Sequence, residues 1–501
     1  QAIVDPQMCG LGGYALANVY LNTGQTTYGV GIDAPALAGE KVSPAMWEKN
    51  LLRPNPDGWG YFLEGKLNDA GYTSICTPGW VKGMAALLER YGTYSWEQVM
   101  QPAIRVAENG YVLTYLAANR LKTREKYPEA SSLLSYLQSN PEASRIYLKA
   151  DGTPYDMGET IRNPDYADTL RRLGKNGPED FYTGELAAQI TADLDQNGAF
   201  VTAGDLESYG LREDMLVQGA FGDYTVTSAA PPHGGATLIA ILNILEGIDL
   251  AAMGHNSPDY IYTVAMAMKA AFADRNPYMA DPEFAEVPVD WMISTERAAQ
   301  WRERIVAGEE IKVDFTTTET PNTTHVTVVD SWGNAVALTH SLGSGSGVIT
   351  PGMGFMYNNS MINFHPIAGH RNSIAPRKGR TTGMAPTIVY KGDRPVIVLG
   401  SPGATRIITS NVQVILNLLV FGMSATEAVY APRFDCQVND IRCHPRIPRH
   451  IVEAVGKRHP VSVLPQSHGG FALVNAITID PASGALQAAA DTGSDGMGIV
   501  L

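Results

Sequence analysis

The chain has 501 residues, 45% of them hydrophobic and 18% charged, with 50 Gly and 31 Pro. That is enough length for a large buried core in one to three domains, with many tight turns. Its formal net charge of −14, from 37 Lys and Arg against 51 Asp and Glu, repels nucleic acid and anionic membrane surfaces and sets both aside as partners.

In chain order, "YALANVYLNTGQTTYGVGI" (Tyr14 to Ile32) reads as two strands around "NTGQ". "WVKGMAALLERYG" and "SWEQVMQPAIRVAENG" follow as amphipathic helices closed by Gly. Helical pattern broken by Pro fills Leu116 to Arg172, and "GELAAQITADLDQNGAF" adds another helix. "DYTVTSAAPPHGGATLIAILNILEGI" reads as strand, turn and buried helix. "SPDYIYTVAMAMKAAFADRN" is a long helix capped by Ser257.

Between Gly308 and Pro321 the apolar periodicity stops, as in an exposed linker. Three hairpins follow: "THVTVVD-SWGN-AVALTHS", "TIVY-KGDR-PVIVLG" and "FALVNAITID-PASG-ALQAAAD", with a long helix, "ATRIITSNVQVILNLLVFG", between the last two. Strand pairs followed by helices predict sheet layers covered by helix. The longest apolar stretch, Val412 to Met423, is short and interrupted by Asn417, so it reads as buried helix rather than as a membrane span. Cys9, Cys76, Cys436 and Cys443 have no metal-binding spacing; free buried thiols are expected, although Cys436 and Cys443 could close a small loop. The sequence opens on Gln1 without a visible signal peptide, which leaves the compartment open: periplasmic, secreted or cytoplasmic.

The polar run Asn322-Thr323-Thr324-His325 stands between the linker and the first hairpin. If the backbone is cut before Thr323, its hydroxyl gains its own α-amino group as the nearest base. An α-amino group has a pKa of about 7.7–8.0, so part of it is neutral near pH 7, and this pairing activates a poor nucleophile. The same residues also read as an ordinary β-branched strand entrance or as a glycosylation sequon. "GSPGATRI" (Gly400 to Ile407) turns from strand into helix, where backbone N–H groups suit an oxyanion. Gly403 and Ala404 are small enough there for a carbonyl to approach. "SLGSGSGV" (Ser341 to Val348) lacks the ending of a phosphate loop and reads as a mobile cover or a loose connection.

These stretches, with "GFMYNNSMINF", "RTTGMAPTIV", "PPHGGATLIAILNILEG" and "MAMKAAFADRNPYMADPEFAEVPVDWM", resemble the γ-glutamyltransferase family of N-terminal nucleophile hydrolases over nearly the whole chain. The family's usual N-terminal helix is missing from this sequence. The resemblance implies an α+β fold, a four-layer αββα sandwich. It implies a precursor that cuts itself between Asn322 and Thr323, so that segments 1–322 and 323–501 stay together in one unit; whether such units form homodimers stays open. Thr323 would attack a small-molecule amide and form an acyl-enzyme. Ser341 matches an assisting family threonine, Gly403 and Ala404 match a Gly-Gly oxyanion pair, and Asn359 lies in the matching Asn-Asn strand. No cofactor or metal is implied.

The departures concern substrate grip. Family positions that hold the γ-glutamyl α-amino group correspond to Gly343, Ser360 and Asn363, where an acidic side chain has become neutral. The α-carboxylate's Arg is absent, with Gly31 near its place, and its Ser-Ser pair has become Thr382-Gly383. Such losses predict an amidohydrolase with altered acyl specificity, using water as acceptor. The resemblance includes acylases that remove glutaryl side chains and enzymes that hydrolyse small amides. A γ-glutamyl hydrolase or transferase with different contacts and a non-catalytic binding protein of the same fold are the alternatives. Of the lesser candidates, His325 is expected to make a structural hydrogen bond, and Asp330, Gly333 and Asn334 to form a turn. Arg406 is expected in an ion pair, with a carboxylate anchor as the alternative, and His233 on a solvated loop, with a substrate contact as the alternative.

Overall fold

A computed structural model describes residues 1–23, 29–56, 60–313, 323–465 and 470–501. Its frame is two antiparallel sheets. Their strands, in chain order, are β1 (Tyr14–Tyr20), β2 (Val30–Ala34), β3 (Arg212–Glu213), β4 (Leu216–Phe221), β5 (Tyr224–Ala229), β6 (Thr324–Val329), β7 (Ala335–Ser341), β8 (Thr387–Lys391), β9 (Arg394–Gly400), β10 (Asn475–Ile479) and β11 (Leu486–Ala490). The first sheet runs β6-β7-β1-β2-β3 and the second β11-β10-β9-β8-β5-β4.

The expected hairpins form where turn chemistry allows. In the first, the Asp330 carboxylate accepts the N–H groups of Trp332 and Asn334, and Gly333 takes a positive φ of 82°. β1 then joins β7 in antiparallel register, Tyr14 opposite Ser341 and Tyr20 opposite Ala335. That pairing places the hairpin beside the chain's first strand.

β1 is buried along its whole length because both faces are covered. Tyr20 packs with Ala335, Ala337, Ile388, Tyr390 and Val398 between the sheets. Asn18 is the polar exception on that face. Its amide donates to the carbonyl and hydroxyl of Thr227 at 3.1 and 3.0 Å, a bond from one sheet to the other. On the opposite face Ala17, Val19 and Ile32 pack with Leu87 and Tyr91 of helix α1 (Trp80–Tyr91).

The outer side of the second sheet is covered by α2 (Gly235–Leu245), α3 (Pro258–Tyr278) and α4 (Arg406–Leu419), which share one large apolar cluster with β8 and β9. Ser257 caps α3 by accepting the Tyr260 N–H at 3.1 Å. The layers are therefore helix, sheet, sheet, helix: the expected αββα sandwich.

All four cysteines are free and buried. Among the described residues no helix is long and apolar enough to cross a membrane. Of the expected linker, residues 309–313 have no regular structure, yet Ile311 is buried in the helix-side core. The rest of it, with Pro321 and the expected cleavage residue Asn322, lies outside the described residues.

Candidate active site

Thr323 immediately precedes β6. The register pairs Thr324 with His340, which brings Thr323 alongside Ser341 at the end of β7. The Thr323 hydroxyl donates to Ser341 Oγ at 3.2 Å, and both side chains are buried. Ser341 Oγ also accepts the Gly343 N–H at 2.9 Å. A rigid hairpin thus holds two hydroxyls and a backbone donor within one small volume.

The glycine-rich loop behind them is neither a cover nor loose. Gly343, Gly345 and Gly347 all have positive φ. A side chain at Gly343 would strike Asn359 Oδ1, which accepts the Ser344 N–H at 2.8 Å. Ser346 is fully buried, and its N–H donates to the Tyr357 carbonyl at 2.9 Å. The loop is an internal part of the site wall, fixed by glycines that let the backbone approach a buried amide.

Asn359 spends its side chain on the protein itself, for its Nδ2 donates to the Asp69 carbonyl at 2.9 Å. Its neighbour Asn358, which sequence reading did not single out, is equally engaged. It donates to the Gly12 and Cys76 carbonyls, both at 2.8 Å, and accepts from Cys76 and Ser360 N–H. The two amides tie Gly12, Asp69 and Cys76 to this wall.

Ser360 and Asn363 open and close a short 3-10 helix, in which positions three apart share a face. The Ser360 hydroxyl is buried with no hydrogen-bond partner among the described residues. Asn363 Oδ1 accepts from Arg380, whose guanidinium also donates to the Tyr14 hydroxyl and lies over the Tyr14 ring, 4.4 Å from its centroid. Burial pushes the Arg380 pKa down to about 9. Sequence reasoning passed over Arg380 although it stands two residues before Thr382 in a stretch it quoted. Where resemblance puts a carboxylate for an ammonium, this chain carries an amide backed by a guanidinium.

The strand-to-helix turn after β9 is strained in the way a functional turn can be. Gly403 has φ 145°, and a side chain there would come within 2.6 Å of Ala472. Ala404 sits at φ 59°, a left-handed conformation uncommon for a residue with a Cβ. Helix α4 begins at Arg406 with no side-chain cap; the Thr405 hydroxyl donates instead to Gln437 at 2.7 Å. The Ile407 and Ile408 N–H groups donate to the Ala404 and Thr405 carbonyls, both at 3.2 Å. A side chain at Gly400 would strike the His325 ring, so the turn's approach strand packs on the hairpin that carries Thr323. A side chain at Gly383 would run into the Ala404 carbonyl, so Thr382 and Gly383 abut the same turn.

Two histidines lie in the hairpin. His325 Nδ1 is 2.8 Å from the Thr339 hydroxyl, the expected structural bond. Burial pulls the pKa of both His325 and His340 down to about 3, so neither carries charge near neutrality. Arg406 donates to the Gly470 carbonyl at 2.6 Å. His233 is not on a solvated loop: it is buried between Thr382 and Asp33, because the turn that carries it is covered by the segment entering β8.

The family model described as Gamma-glutamyltranspeptidase matches residues 1–501. The chain belongs to that family. It is 34% identical to the Acylase ACY 1 proenzyme of Pseudomonas sp. strain V22, over 100% of this chain and 87% of the relative. It is 32% identical to the Glutathione hydrolase proenzyme of Escherichia coli strain K12, over 87% of this chain and 75% of the relative. The crystal structure of cephalosporin acylase from Bacillus halodurans superposes with a TM-score of 0.85 at 26% identity, covering 99% of this chain and 88% of that one. As a member of this family the protein is an N-terminal nucleophile amidohydrolase, which agrees with a site built from hydroxyls and backbone N–H groups.

Proposed function

We propose that the protein is a self-processing acylase whose nucleophile is Thr323. The observation that carries this reading is the buried 3.2 Å hydrogen bond from Thr323 to Ser341 at the mouth of the hairpin. In processing, Thr323 Oγ attacks the Asn322 carbonyl carbon, the C–N bond breaks, and the hydroxyl proton passes to the nitrogen, which becomes the new α-amino group. Water then hydrolyses the ester, leaving a carboxylate on Asn322. Segments 1–322 and 323–501 remain one αββα unit.

In turnover the α-amine takes the Thr323 hydroxyl proton as oxygen attacks the substrate amide. The Gly403 and Ala404 N–H groups receive the negative oxygen of the tetrahedral intermediate. The proton passes to the departing amine, and water releases the acyl group. Ser341 holds the Thr323 oxygen in line throughout.

The acyl group lacks the γ-glutamyl ammonium. An ammonium brought toward Gly343, Ser360 and Asn363 would meet the Arg380 side chain, a like charge, instead of a carboxylate. Acyl chains with a neutral or anionic end suit this wall. The second reading, a γ-glutamyl hydrolase or transferase, is favoured by the 32% identity to a glutathione hydrolase proenzyme.

The test uses two anilides that differ only in that ammonium, glutaryl-p-nitroanilide and γ-glutamyl-p-nitroanilide. Faster release from the glutaryl compound, by at least about tenfold in kcat/KM as expected for one lost or repelled charged contact, supports the acylase reading. Preference for the γ-glutamyl compound overturns it in favour of the second. Either activity must vanish in Thr323→Ala.

A further inference from the structure

Asp33, His233 and Thr382 take no part in the chemistry above. They come from β2, from the turn before α2, and from the segment entering β8, and all three are buried. His233 Nε2 lies 3.0 Å from Asp33 Oδ2, and its Nδ1 lies 2.8 Å from Thr382 Oγ1. A carboxylate only accepts, so Nε2 bears a proton; in the neutral ring Nδ1 then accepts the Thr382 hydroxyl. Thr382 Oγ1 in turn accepts the Met384 N–H at 3.1 Å.

The backbone is held as firmly. The Thr382 N–H donates to the Pro232 carbonyl at 3.0 Å, and the Gly234 N–H to the Met384 carbonyl at 2.8 Å. Arg275 donates to the Thr382 carbonyl at 2.9 Å and to the His233 carbonyl at 3.3 Å. Segment 382–384 is thus laid against segment 232–234.

Glycines carry this fixation to the reacting centre. A side chain at Gly234 would come within 2.6 Å of the Gly383 carbonyl oxygen, and one at Gly383 within 2.6 Å of Thr405 Cα. The backbones at 234, 383 and 404 are stacked without room for a side chain. Ala404 is the strained residue, and Gly403 is pressed from the other side by Ala472.

We propose that Asp33, His233 and Thr382 form a buried clamp that holds the Gly403–Ala404 turn in its strained form through Gly383. His233 is a positioning residue, for it acts through Thr382 and Gly383. The inference rests on the reading of Thr323 as nucleophile and of that turn as oxyanion donor. It also gives Thr382 a different task from the one resemblance implies, because its hydroxyl serves His233 rather than a substrate carboxylate.

The decisive variant is Thr382→Val, which keeps the shape and removes the hydroxyl. His233→Ala removes the acceptor, and His233→Asn restores one, its Oδ1 standing for Nδ1. Displacing a catalytic group by about 1 Å can cost on the order of 100-fold. With the better anilide, Thr382→Val and His233→Ala are expected to lose about 10- to 100-fold in kcat with KM within about twofold, and His233→Asn to regain most of that loss. Wild-type kcat in Thr382→Val overturns the clamp, even if its thermal stability falls. So does a loss expressed in KM, which would put the hydroxyl on the substrate. If His233→Ala fails to fold, Thr382→Val decides alone. Activity surviving Thr323→Ala would sink the nucleophile reading itself; an inactive Thr323→Ala beside a fully active Thr382→Val sinks only the clamp.

Discussion

A threonine hydroxyl is a weak nucleophile, and Thr323 depends on three things its own side chain lacks: a base, an aligned oxygen and a waiting oxyanion donor. The base, on our proposal, is its own α-amino group, with a pKa near about 7.7–8.0. The sign follows directly, since only the neutral amine accepts the proton. kcat/KM should therefore rise with pH through that region and level off above it. A rate flat from pH 6 to 9 contradicts the amine as base. The oxyanion turn gives a second residue-scale test. Gly403→Ala puts a Cβ within 2.6 Å of Ala472 on a backbone at φ 145°, so the turn must move. Loss of an oxyanion donor costs about 100- to 1,000-fold in kcat, and a fall of that order with the chain still cut and folded is expected; unchanged kcat would remove this turn from the mechanism. Thr323, Gly403 and Ala404 could be proposed from the sequence because their residue types suit the chemistry, and Ser341 through resemblance. What surrounds them could not. Nothing in "PPHGG" says that His233 is wedged between Asp33 and Thr382, two residues separated from it by long stretches of chain.

At the scale of elements, the hairpins and helices followed their local signals. Alternating apolar residues, Asp-Gly-Asn turn chemistry and a Ser cap before Pro258 each act within a few residues, so each can be read without the fold. The glycine-rich loop could not be read this way. Its conformation answers to the Asn359 amide, which sequence places 16 residues beyond Gly343 and structure places against it. The first hairpin also carries a stability switch. Burial holds the His325 and His340 pKa values near 3, against an ordinary 6.5. Groups whose folded pKa is depressed stabilise the fold fully above the ordinary value, and that contribution is lost progressively as pH falls from 6.5 toward 3. Thermal denaturation should therefore show a Tm that drops on going from pH 7.5 to 4.5. His340→Gln, which replaces one titrating ring by a neutral amide, should flatten the drop. An unchanged pH slope in that variant would show that the hairpin histidines do not carry the effect.

For the whole molecule, the sheet order explains why a cut need not release two pieces. β6 and β7 belong to the same sheet as β1 and β2, so a bond broken before β6 leaves both segments sharing an antiparallel ladder, a buried inter-sheet layer and the Asn18–Pro386 hydrogen bond. The β1–β7 pairing joins residues more than 300 apart, Tyr14 with Ser341, and no local pattern announces it. The layer order was predictable from strand pairs followed by helices and from resemblance; which strands meet was not. The central claim is that this chain becomes an enzyme by cutting itself before Thr323. Intact mass measurement of the purified protein, with N-terminal sequencing of its smaller fragment, tests that claim most directly. Two co-purifying fragments, the smaller beginning Thr-Thr-His-Val, are predicted for the protein, and one uncut chain for Thr323→Ala. A single uncut wild-type chain, or a smaller fragment beginning at any other residue, would contradict it.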